Sequence, residues 1–403
     1  MKRRIVFAVK PLIVLSLLSS ISSIHADIEA RYSDSTKCKP CHKTITQEWQ
    51  SSLHAKSHFS KNELYAKLLG YTAKKKHQPE SWMEVRCAQC HNPRVLDAVN
   101  QKNIDMAGFG FDEGIIRKKM GSSFIKDGVN CIVCHNIQTV HDSVNAGKRG
   151  KDTVVWGAND TMVGPFPDAR SPYHKTAYSS IFKEESNRLC FVCHYNERSA
   201  YGVEIGSTGK EYESSGDKTR CVECHMGPSV KKRAVQVDLQ RSTSRKVRTL
   251  RRHLFAGVRN SDIVSEAIDI DYRRVGRKIT VRLKNLIPHK LPTGFGGRLL
   301  RIYLVYRDQS GTKIGEDMYD IGAKYADKKG KETIPHLAAR ILSDNRLKPF
   351  SSRDIVFRAP ENSKSAEIFL QYYLMAPEWL EKLEVTDPLF RKKYDIASMR
   401  VKF

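Results

Sequence analysis

Cys38-Lys39-Pro40-Cys41-His42 is the first of five copies of one pattern. The others are Cys87-Ala88-Gln89-Cys90-His91, Cys131-Ile132-Val133-Cys134-His135, Cys190-Phe191-Val192-Cys193-His194 and Cys221-Val222-Glu223-Cys224-His225. C-x-x-C-H attaches c-type haem (heme c). The two thiols add across the vinyl groups as thioethers, and the adjacent histidine is held under the ring as an axial iron ligand. The spacing is short because both sulfurs and the imidazole must reach one porphyrin from one turn. A lone copy is ambiguous, since zinc ribbons and redox C-x-x-C sites carry chance histidines. Here the five copies use all ten cysteines. They predict five covalent haems and leave no thiol for a disulfide.

The chain has 403 residues, with 69 Lys plus Arg against 44 Asp plus Glu, a formal charge of +25. Such an excess suggests an acidic partner or surface. Haem changes the balance, because every haem brings two propionates. Part of the basic excess is expected to pair with them, and the remainder suits an acidic redox partner or an anionic substrate. Nucleic acid does not fit this cofactor load.

Residues 1–26 read as a secretory signal. Lys2, Arg3 and Arg4 precede an apolar stretch broken by Lys10 and Pro11, and Ala26 is a cleavage candidate. The run is short of the ~20 apolar residues of a membrane span, so no stable span is expected after cleavage; an uncleaved N-terminal anchor is the alternative. Export to the periplasm fits haem attachment outside the cytoplasmic membrane. Residues 27–228 form the pentahaem domain, in which first cysteines are 49, 44, 59 and 31 residues apart. With so little polypeptide per cofactor, the porphyrins supply much of the core. Thr44 to Gly70 reads as a helix and β pattern is scarce. Residues 229–252 are a basic linker with Lys231, Lys232, Arg233, Arg241, Arg245, Lys246, Arg248, Arg251 and Arg252 against Asp238; the stretch is either a solvated connection or a strip pairing propionates or a partner. From 253 to 403 the pattern alternates. Ile279, Val281 and Leu283, then Leu299–Tyr306, Asp354–Arg358 and Ala366–Leu374, read as strands, with a turn at Asp308-Gln309-Ser310-Gly311. The fold class is α+β: a mainly α or irregular multihaem cytochrome c domain followed by a C-terminal β-sandwich-like domain.

His42, His91, His135, His194 and His225 supply one axial ligand to each iron. A second imidazole closes the iron for electron transfer, whereas an open position admits substrate. His54, His141 and His174 are candidates for that position, and His253 and His289 are open either way. His54 and His58, four apart, would share a helix face, so one of the two is expected to ligate. His77 reads as surface, and His336 as structural or exposed.

Glu48-Trp49-Gln50-Ser51-Ser52-Leu53-His54-Ala55, Gly128-Val129-Asn130 before Cys131, and the ending Cys221 to Met226 resemble the multihaem cytochrome c-554 and hydroxylamine oxidoreductase superfamily. Arg252-His253-Leu254-Phe255-Ala256-Gly257 and Asn285 to Gly294 look like the H-x-F-x-G and G-H-x-x-P-T-G segments of larger members with a C-terminal β domain; Pro288 stands where glycine is common. The resemblance implies that His54 is a distal ligand and completes a distal set of His54, His141, His174, His253 and His289. Its motifs do not separate carriers from enzymes; the expected function is an exported electron carrier relaying between periplasmic or membrane partners, such as quinol-oxidising cytochromes or terminal reductases, with no catalytic residue. The alternative is a small oxidoreductase acting on nitrogen or sulfur oxyanions at one five-coordinate haem. The C-x-x-C-K motif of pentahaem nitrite reductases does not occur in this sequence.

Overall fold

A computed structural model describes residues 34–141 and 150–403; the expected signal, 1–26, lies outside the described residues. The N-terminal region is built from short helices: α1 Lys43–Gln50, α2 Glu63–Lys76, α3 Glu80–His91, α4 Gln101–Ala107, α5 Glu113–Met120, α6 Cys131–His135, α7 Ser186–His194, α8 Thr208–Ser215 and α9 Cys221–His225. None of the described helices is long and apolar enough to cross a membrane.

The helix expected over Thr44–Gly70 is two helices. Ser51 ends α1 by donating its hydroxyl back to Glu48 O (2.7 Å). Asn62 starts α2 by accepting from Tyr65 N (2.9 Å), an N-cap that satisfies an orphan donor. Gly70, read as a stop, lies inside α2, which ends instead at His77 in a left-handed conformation (φ 52°). His54 therefore sits in the bend between helices, and His54 and His58 do not share a helix face.

Among the described residues of this region, the strands form two-stranded ladders. β1 Ile137–Val140 pairs with β2 Val154–Trp156, β3 Thr161–Gly164 with β4 Lys175–Tyr178, β5 Glu197–Arg198 with β6 Glu204–Gly206, and β7 Val230–Arg233 with β8 Val247–Leu250. The last pair falls in the stretch expected as a linker. It is an ordered hairpin against the first motif: Gln236 N donates to Cys41 O (2.8 Å). Its cations are largely engaged, with Asp168 between Lys246 and Arg248 and Asp238 between Arg233 and Arg245.

The C-terminal strands are β9 Ile268–Val275, β10 Lys278–Asn285, β11 Leu299–Arg307, β12 Lys313–Ile321, β13 Ala323–Ala326, β14 Glu332–Thr333, β15 Arg340–Asp344, β16 Ser352–Arg358, β17 Ser365–Tyr373 and β18 Tyr394–Lys402. They form antiparallel sheets ordered β16-β10-β9, β12-β11-β17-β18 and β14-β13-β15. Val281 lies between Tyr272 and Ile355, and Ile302 between Tyr319 and Leu370. Ile279, Val281 and Leu283 of one sheet share a core with Leu300, Ile302, Leu304, Ile368 and Leu370 of the other. Each such side chain contributes roughly 1.5–3 kcal/mol by leaving water. The chain is α+β, as its pattern predicts.

The two regions are packed into each other. Leu64 and Leu68 of α2 belong to the β core. Glu63 accepts from Thr386 N (2.9 Å) and Thr386 Oγ1 (3.0 Å). Glu211 of α8, almost fully buried, receives Lys290 N (3.1 Å) and Thr293 Oγ1 (2.5 Å) and pairs with Arg346 (3.4 Å). These contacts bring two histidine-bearing segments of the β region, around His289 and His336, over the motif helices.

Candidate haem-binding site

The motif chemistry depends on helical pitch. At i, i+3 and i+4 a helix places two thiols and an imidazole on one face. α6 and α9 are the motif alone, and α3 and α7 end on it. The first motif is a 3-10 turn at Ser35–Cys38 running into α1, with His42 at the N-cap. All ten cysteines and all five motif histidines line one cavity of about 2260 Å³. A single small ligand occupies ~300–1,000 Å³, so this cavity is of a size for several bulky groups.

Thiols of different motifs meet inside it. Cys38 lies against Cys131, Cys90 against Cys193, and Cys190 against Cys221. Cys134 lies near Cys190 and Cys193. The motifs thus run first, third, fourth in space, and the second and fifth both adjoin the fourth. No single-chain pattern carries this order.

Motif imidazoles are oriented by backbone carbonyls. Nδ1 of His42 bonds Ala234 O (2.9 Å), that of His91 Ser57 O (2.8 Å), that of His135 Val163 O (2.9 Å) and that of His225 Ala256 O (2.7 Å). This arrangement assigns the proton to Nδ1 and leaves the Nε2 lone pair for a metal.

Five further histidines line the same cavity: His54, His174, His253, His289 and His336. His54 faces His194 with ring centroids 6.2 Å apart, His253 faces His135 at 6.2 Å, and His289 faces His225 at 6.3 Å. A ligating imidazole nitrogen sits about 2 Å from its metal and about 1.1 Å from its own ring centre, so two imidazoles on opposite sides of one ion have centroids roughly 6.3 Å apart. The three pairs fit a bis-histidine haem iron. Burial above all holds these imidazoles neutral: His54 is pushed down to about 3 and His253, His289 and His194 to about 4. A metal needs that neutral form. His174 lies near His42 and His135, with its Nδ1 on Lys175 O (3.1 Å). His141, by contrast, is exposed, lies outside the cavity wall and adjoins the undescribed residues 142–149. His77 is exposed, and His58 is turned to Ser60 Oγ (2.8 Å) and Met120 O (3.1 Å).

The segments that carry the resemblance hold His54 and His253 in place. Trp49 Nε1 donates to Val129 O (2.8 Å), and Val129 N to His54 O (3.2 Å). Gly128 permits this contact: at φ 71° a Cβ would stand 2.5 Å from Ser57 Oγ and 2.8 Å from His54 O. Buried Glu48 accepts from His253 N (2.9 Å) and pairs with Lys232 (3.5 Å) and Arg252 (3.4 Å). Arg248 bonds Asp168 through Nη1 (2.9 Å), while its buried Nη2 has no partner at the cavity wall. A buried guanidinium N–H without an acceptor suits a haem propionate. The sequence placed Arg248 in a basic stretch open to propionate pairing and Glu48 at the head of the His54 segment, but gave neither an individual role, since a single acid or base in a polar stretch gives no local signal of its partner.

Residues 37–136, which hold the first three motifs, match the cytochrome c554 and c-prime family. Over those residues the chain carries the multihaem cytochrome c pattern. The chain also aligns with the crystal structure of a penta-heme cytochrome c552 from Thermochromatium tepidum, over 92% of this chain and 98% of that one, with a TM-score of 0.68 and 20% identity. That likeness carries the whole fold, the β region included. A structural-genomics target aligns over 34% of this chain and 82% of its own at 11% identity and a TM-score of 0.16, too low to carry an argument. No curated protein matches the chain.

Proposed function

We propose that the chain is an exported five-haem electron carrier that relays electrons between periplasmic or membrane redox proteins. The observation that carries this reading is the set of imidazole pairs at 6.2–6.3 Å. Two imidazoles on an iron leave no room for a substrate. When bound, haem supplies a one-electron ferric/ferrous couple. The protein's part is to fix both axial imidazoles, keep them neutral, exclude water and neutralise propionates. His42, His91, His135, His194 and His225 hold one face of each iron. His54, His253 and His289 serve the fourth, third and fifth haems, and His174 serves the first beside His42. The order of the motifs in space supports a branched row along which electrons hop, entering or leaving at the first, second or fifth haem. Export is supported by the basic and apolar character of residues 1–26 and by the attachment chemistry. The basic surplus supports an acidic docking partner.

Intact mass and carbon monoxide binding test the reading together. The mature protein should exceed its polypeptide mass by five haems, and its dithionite-reduced form should leave the Soret band unmoved by carbon monoxide. Fewer haems would refute the stoichiometry. A carbon monoxide adduct would replace the carrier with an enzyme acting at an open iron.

A further inference from the structure

Four motif histidines have a non-motif imidazole close by, and the fifth, His91, has its own candidate. We infer that His336, from the β region, is the distal ligand of the haem attached at Cys87 and Cys90, and that Glu197 positions it. The inference rests on the bis-histidine reading above and departs from the ligand set implied by the sequence, which contained His141 instead.

His336 lies on a 3-10 turn, Pro335–Leu337, between β14 and β15. It lines the same cavity as Cys87, Cys90 and His91. The turn is bolted to the haem region, with Ala200 N donating to His336 O (3.0 Å) and Ser199 Oγ to Ala338 O (2.7 Å). Phe295 stacks on the ring at 5.7 Å between centroids. Nε2 meets Glu197 Oε1 at 3.2 Å. Nδ1 is buried and has no partner.

The competing explanation is a plain ion pair between Glu197 and His336. It accounts for Nε2 and leaves Nδ1 buried and unsatisfied, which folded proteins avoid. With the Nε2 proton on the carboxylate side, Nδ1 carries the lone pair. A carboxylate bonded to the far nitrogen of a ligating imidazole is the usual way of fixing its tautomer and raising its basicity. His141, exposed and outside the cavity wall, offers no such arrangement.

The test is ferric EPR and a spectroelectrochemical titration of the haem-loaded wild type and five variants. In wild type the second haem should be low-spin. His336→Ala should convert one haem in five to high spin, and His141→Ala should convert none. His336→Met, which keeps a ligand if the alanine variant fails to fold, should leave all haems low-spin and raise one potential, as methionine ligation does. Glu197→Gln should keep the spin state and raise the potential of one haem, because a neutral amide no longer favours ferric iron; a merely structural role would leave that potential in place. The proposal is overturned if His336→Ala leaves the spectrum unchanged, if His141→Ala produces the high-spin signal, or if wild type already holds one open haem that His336→Ala does not alter. His289→Ala separates the two failures. A high-spin haem there with none in His336→Ala removes His336 alone, whereas no change in either variant removes the bis-histidine reading.

Discussion

The β region and the haem region bury apolar side chains in opposite ways. The β region closes one continuous core, in which Ile279, Val281, Leu283, Leu300, Ile302 and Leu304 are fully buried. The haem region holds separate small clusters, one around Val95, Ile116 and Phe124, another around Ile137, Ile181 and Val192, with a cavity of about 2260 Å³ among the motifs. One region is stabilised chiefly by its own side chains, to which Leu64 and Leu68 of α2 add. The other leaves its core open around the cysteine motifs, as a region completed by cofactor would.

The largest expected effect comes from withholding the cofactor. A chain made without haem attachment should lose residues 34–250 to limited proteolysis and leave a resistant fragment near 253–403. Uniform digestion of both regions would break the contrast. Next is Leu304→Ala, which empties the β core and should cost about 2–5 kcal/mol in the melting of β structure followed by far-UV circular dichroism. The spin state of every haem should be retained, and a new high-spin signal in this variant would mean that the core and the haem ligands are one unit.

The smallest effect is that of pH. His54 is held at about 3, and His253 and His289 at about 4, against an ordinary 6.5, chiefly by burial. Between those values the unfolded chain binds protons that the folded chain refuses, so stability rises with pH across the window and falls as pH drops from 6.5 towards 4. Melting monitored at the Soret band should therefore occur at a lower temperature at about pH 5 than at about pH 7. An equal or higher midpoint in acid would show that these imidazoles are not buried in the neutral form.

What could be read from the sequence follows from range. C-x-x-C-H is a local pattern, and the alternation in 279–283 and 299–306 is local too; both appear in the fold where the residues place them. His54, His253 and His289 were named through flanking segments, and for His54 and His253 those segments make the Trp49–Val129 bond, the Gly128 approach and the Glu48 contact with His253. The bend at Ser51–His58 was hidden because the apolar spacing of Trp49, Leu53, Leu64 and Leu68 continues across it, although Leu64 and Leu68 face the β core. The 229–252 hairpin was hidden because most of its paired basic side chains find their acids elsewhere in the chain, Arg248 at Asp168 and Lys232 at Glu48 for example. His336 gave no signal at all: it is 245 residues from His91, and only docking of the β region brings the two into one cavity.

The most direct test of the central claim is an EPR spectrum of the oxidised holoprotein, with spins counted against haem content. The account predicts low-spin ferric signals alone, summing to five haems per chain. A high-spin ferric signal integrating to one haem in five would contradict it, and nitrite, hydroxylamine and sulfite would then be offered to that iron.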